Sequence, residues 1–152
     1  MTPLFKALSG GRNNEFIGRL VGYLQNNKLF RSVIRRELLL PIGDETTAIT
    51  VGTNKFRFRA PCDMKVLALR GSLNVGSTGG PLTVDVNSDG TTIMATSKVN
   101  FDATELTTDT AATPNAITAP TILKDSIVSV DVDAVGTGAA GLKLWLIYEE
   151  IY

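Results

Sequence analysis

Three stretches of this chain alternate apolar and polar residues with a period of two: "NKFRFRA", "LTVDVN" and "IVSVDVD". Successive side chains of a strand point to opposite faces, so each stretch specifies a strand with one face toward a core. In the first, Phe56, Phe58 and Ala60 share one face and Lys55, Arg57 and Arg59 the other. In the second, Leu82, Val84 and Val86 are expected inward and Thr83, Asp85 and Asn87 outward. In the third, Val128, Val130 and Val132 oppose Ser129, Asp131 and Asp133. "MKVLALRGSL" is apolar on both faces, as suits a central strand, and "LKLWLIYEEIY" reads as a long final strand. "TTIMATS" reads as the strand answering "LTVDVN". Proline marks a break in "APCDM", and glycine marks loops in "NVGSTGGP" and "AVGTGAAG", the latter expected to be flexible. About eight short strands with frequent turn signals predict an all-β fold over residues 38–152, a jelly-roll-like antiparallel β-sandwich.

Residues 1–37 read differently, as an N-terminal arm. In "NNEFIGRLVGYLQNNK", Phe16, Ile17, Leu20, Val21 and Leu24 form one helical stripe. Asn13 or Asn14 suits the cap and Glu15 the first turn, which places a short amphipathic helix near residues 14–25. Gly18 and Gly22 lower its propensity. The stripe has two readings: it packs on its own domain, or it binds a neighbouring subunit. The following "KLFRSVIRRELLL" is either another helical turn or the lead-in to a first strand.

Histidine is absent. That removes Ser-His-Asp triads, Cys-His pairs and the commonest zinc ligands, and the expectation is a protein that is not an enzyme and takes no cofactor. Cys62 is the single cysteine, so no intrachain disulfide forms, and a structural thiol is expected rather than a nucleophile. Fifteen basic and fifteen acidic residues cancel, which argues against nucleic acid or an anionic membrane as partner. No apolar run approaches the roughly 20 residues of a membrane helix, and no signal peptide is read at the N-terminus.

One stretch, "TVDVNSDGTTI", carries a metal-like pattern. Asp85, Asn87, Asp89 and Gly90 match the opening of a calcium loop, which makes Asp85, Asn87 and Asp89 the candidate cation ligands. The twelfth position, however, is Thr96 rather than a carboxylate, and both flanks alternate as strands rather than helices. A hairpin with Gly90 in the left-handed position of a bulged turn is the expected structure. Asp85, Asp131 and Asp133 would meet across neighbouring strands, their repulsion relieved by solvent or by an adjacent Lys or Arg rather than by a cation. The row Lys55, Arg57 and Arg59 reads as a solvated face, with binding of phosphate or an acidic partner as the alternative. Trp145, with Ile147, lies opposite Leu142, Leu144 and Leu146, and either covers a second layer or marks a contact surface.

The segments "LPIGDETTAITVGTNKFRFRAP", "GPLTVDVNSDGTTIMAT", "NFDATELTT" and "DSIVSVDVDAVGTGAAGLKLWLIY" together resemble a β-sandwich module of tailed-bacteriophage virion proteins. The resemblance covers about two thirds of the chain and leaves the first forty residues outside it. It implies a structural role on the virion: a capsid decoration or cement protein on the head surface, bound to the major capsid protein and commonly trimeric. The alternative it implies is a tail fibre or tail-associated adaptor that binds a receptor. The partner-binding candidates are Phe16, Ile17, Leu20, Val21 and Leu24 of the arm, with Trp145 and Ile147 of the last strand; on the fibre reading the arm is only an attachment, and the loops "NVGSTGGP" and "AVGTGAAG" face the receptor.

Overall fold

The computed structural model describes residues 17–20, 22 and 35–151. The chain divides into two units, Met1–Arg35 and Arg36–Tyr152. In the first, residues 17–20 and 22 are helical, and Ile17 and Leu20 are exposed. Phe16, Val21 and Leu24, the rest of the expected stripe, lie outside the described residues.

The described part of the second unit holds nine strands: β1 (Arg35–Ile42), β2 (Gly52–Arg59), β3 (Met64–Ser72), β4 (Leu82–Ser88), β5 (Thr91–Thr92), β6 (Val99–Phe101), β7 (Thr121–Ile122), β8 (Ile127–Ala134) and β9 (Leu142–Glu150). One sheet has the order β1-β9-β3-β7; the other has β2-β8-β4-β5, with β6 also on β4. The innermost hairpin is β4 with β5. Around it the partners nest outward as β3 with β7, β2 with β8 and β1 with β9. A long antiparallel ribbon rolled so that its pairs alternate between two sheets is a jelly roll. The expected all-β sandwich is therefore the observed fold.

The alternation does the folding. Leu82, Val84 and Val86 of β4, Val128, Val130 and Val132 of β8, and Leu142, Leu144, Leu146 and Tyr148 of β9 all point into one core. Met64, Val66 and Leu69 of β3 join them, as do Phe101 and Ile122. Each such side chain contributes about 1.5–3 kcal/mol on burial. Phe101 presses its ring over β3 so closely that a Cβ at Gly71 would lie 2.4 Å from it. Only glycine fits there.

Four details differ from expectation. The first strand starts at Arg35, three residues early, so "RRELLL" is strand rather than helix. It lies at a sheet edge, where Pro41 costs no ladder hydrogen bond. Phe56 and Phe58, expected buried, are half-buried because β2 is also an edge, and their rings meet tilted at 48° with centroids 6.3 Å apart. Lys55 leaves the row of Arg57 and Arg59. A bulge between Gly52 and Phe56, with Asn54 at φ 52°, turns it back so that its Nζ donates to Thr50 Oγ1. Finally, "TTIMATS" contributes only Thr91–Thr92 as strand. Ile93 and Met94 then drop into the core, and the chain rejoins β4 as β6.

Candidate functional site

The two sheets present very different outer faces. On the β2-β8-β4 side the calcium-like stretch resolves into a hairpin. Asn87 pairs with Thr92 and Ser88 with Thr91, leaving Asp89 and Gly90 as a two-residue turn. Both have positive φ, 48° and 81°, which is the type I′ geometry that suits the twist of a hairpin. The bulged turn expected from Gly90 alone is thus replaced by a tighter one, because aspartate also tolerates the left-handed region. Asp89 ties the turn to β8: its amide donates to Ile127 O and its Oδ1 accepts Ile127 N–H, each at 2.8 Å. The bond from Ile127 N–H, with that from the Ser126 hydroxyl, holds its pKa below the ordinary value.

Asp85 and Asn87 were expected in solvent, yet both are buried, 6% and 8% exposed. The segment before β6 brings Lys98 over them. Its Nζ lies 2.8 Å from Asp85 and 2.6 Å from Asp133. Thr92 Oγ1 donates to the other oxygen of Asp85 at 2.6 Å. Asp85 and Asp131 are direct cross-strand neighbours, as the alternation implied. Asp131 instead accepts from Asn87 Nδ2 at 3.0 Å and from the Asn54 amide at 2.7 Å. The two carboxylates, Asp133 first, raise the pKa of Lys98 and keep it charged. Asp85, Asn87 and Asp89 therefore serve three separate sets of protein partners. Among the described residues no group of three or more acidic or thiol side chains has the geometry of a metal site. Lys98 had no signal in the sequence, since it lies outside any alternating stretch.

The other outer face carries an apolar patch among charged residues. Leu39 of β1 is 52% exposed, while its neighbours Leu40 and Ile42 are buried. Trp145 and Ile147 of β9 stand beside it half-buried, on the side opposite Leu144 and Leu146, as the alternation requires. In register with them on β3 are Arg70, opposite Trp145, and Ala68, opposite Ile147. Trp145 and Ile147 line a hollow of about 270 Å³ together with Arg70, Ser72, Glu37 and Asp109. The far wall is the 107–109 segment, held to β3 by Thr108 Oγ1 accepting Gly71 N–H at 3.0 Å. Of the sequence candidates the structure brings Trp145 and Ile147 together here; it adds Leu39, which a run of three leucines had masked.

The remaining candidates are structural. The two glycine-rich segments bridge each other through Thr78 with Thr137 and Val75 with Ala140. Ser77, fully buried, donates to Gly80 O and accepts Gly136 N–H, and a Cβ at Gly136 would strike Thr78 O at 2.3 Å. Cys62 is half-buried, and burial followed by the nearby Glu150 raises its thiol pKa, which disfavours the thiolate. No helix among the described residues is long and apolar enough to cross a membrane.

Comparison with protein-family models, with curated proteins and with solved structures found no match.

Proposed function

We propose that this chain is a structural virion protein, a decoration or cement protein that binds the assembled phage head and stabilises it. Its partner is the major capsid protein, its working unit a trimer, and its place the head surface. The observation that carries this reading is the apolar patch of Leu39, Trp145 and Ile147, a surface for neighbouring copies of an assembled unit, on a sandwich whose opposite face ties Asp85 and Asp133 to its own Lys98. Apolar side chains held at a sheet surface gain about 1.5–3 kcal/mol each when a partner buries them fully. Repetition over a lattice multiplies a modest contact into firm attachment. The jelly-roll order and the motifs shared with phage virion modules support the same reading. It assigns the chain no chemistry, in keeping with the absence of histidine and with carboxylates already engaged by protein donors.

Purified full-length protein added to heads lacking it tests this. Extra density at threefold or quasi-threefold positions is expected, with heads that resist heat and low salt better than bare ones. Isolated monomers in that density would refute the trimer. Heads that gain nothing, alongside a loss of host adsorption when the protein is missing, would move the assignment to a tail fibre or adaptor.

A further inference from the structure

The neutral total hides a division of charge. Six of the 15 basic residues and one of the 15 acidic residues lie in Met1–Arg35. Nine basic and fourteen acidic residues remain in Arg36–Tyr152, so the two units carry formal charges of +5 and −5. Each unit also carries unsatisfied apolar surface. Ile17 is 55% and Leu20 36% exposed, and Leu39 of the open sheet face is 52% exposed. At the rim of that face, Glu37 and Asp109 form no ion pair among the described residues. In the arm, Arg19 lies between Ile17 and Leu20 in sequence.

We propose that the arm segment around Ile17 and Leu20 of one copy seats on the outer β1-β9-β3-β7 face of a second copy. Its apolar side chains cover Leu39, Trp145 and Ile147, and Arg19 meets the carboxylates of Glu37 and Asp109. Opposite net charge steers the encounter, and apolar burial holds it. Every copy offers one arm and one face, so the contact is heterologous and a ring leaves neither exposed. The inference deepens the proposed function and rests on its oligomer rather than on its location on a head.

The test uses two full-length variants, Leu20→Cys and Leu39→Cys, each also carrying Cys62→Ser. Both cysteines replace exposed side chains, and circular dichroism checks that the strands persist. Mild oxidation of the mixture is expected to give a disulfide-linked dimer on a non-reducing gel, well above either variant alone. Ile17→Asp in the first chain, or raised salt, is expected to cut the yield several-fold. No linked dimer in the mixture overturns the inference. So does equal linking by one variant alone, or a chain bearing both cysteines that closes on itself at every dilution. Linking without head decoration supports the inference and removes the head reading; decoration without linking overturns the inference and leaves that reading in place.

Discussion

The outer faces of the two sheets arise from the same period-two pattern and end in opposite states. On β4 and β8 the outward positions are Asp85, Asn87, Ser129, Asp131 and Asp133, and the protein partners their carboxylates itself: Lys98 holds Asp85 and Asp133, Thr92 holds Asp85, and Asn87 and the Asn54 amide hold Asp131. On β1 and β9 the outward positions include Leu39, which is exposed, and Trp145 and Ile147, which are half-buried. A buried polar group without a partner costs free energy at once, so a polar face must be closed for the chain to fold. An apolar face at the surface costs far less and is left for something else to cover. Polarity on an outer face is therefore no guide to function here. The charged face is scaffold, and the greasy one is the candidate surface.

Removing the closure should show the largest effect. Lys98→Met strands Asp85 in a buried position opposite Asp131, and is expected to lower stability by about 2 kcal/mol. A urea unfolding curve with a shifted midpoint and unchanged slope would show it. Asp85→Asn in that background should recover about 1 kcal/mol, measured as a double-mutant cycle. An unaltered Lys98→Met curve would mean that the face is not closed by these ion pairs.

The turn that anchors this side comes next. Asp89→Ala loses both the side-chain bond to Ile127 N–H and a residue tolerant of φ 48°, and should cost about 1 kcal/mol. Asp89→Asn keeps the acceptor and should cost markedly less in the same assay.

The open face should behave in the opposite sense. Leu39→Ser is expected to change the stability of the monomer by no more than about 0.5 kcal/mol, because the side chain is already in water. The same variant should abolish self-association in sedimentation. A large stability loss with association intact would reverse the assignment of the two faces.

Acid should separate the regions by the smallest margin. Thr47 and Thr46 hold Asp44 ionised and lower its pKa to about 2. A depressed folded-state pKa stabilises the fold above the unfolded value and loses that contribution as pH falls through the folded one. The Asp44 turn should therefore loosen between about pH 4 and about pH 2, followed by its carboxyl resonance. Asp89 should follow the same direction. Leu39, Trp145 and Ile147 themselves carry no titrating group.

Much of the fold was legible in local pattern. "LTVDVN" and "IVSVDVD" name the inward valines correctly, and "LKLWLIYEE" separates Leu144 and Leu146 from Trp145 and Ile147. Those assignments need only the strand period and one buried side. Where an element's fate depended on its neighbours, pattern misled. Lys55 alternates with Phe56 in sequence, yet a bulge at the edge of the sheet sends it elsewhere. Asp85 alternates as a solvent residue, yet a lysine thirteen positions on, in a segment with no period, covers it.

The sequence by itself determined that the chain would build strands, which side of most of them would be buried, and that histidine chemistry was excluded. It did so because strand period and composition are properties of short stretches. Tertiary structure alone decided the nesting of β1 with β9 and β2 with β8, which follows from how a long ribbon rolls into two sheets. It alone decided which outward row would be closed and which left open. That choice turns on whether a distant cation arrives over a row, and a residue's distant neighbours in space are what a local pattern does not contain.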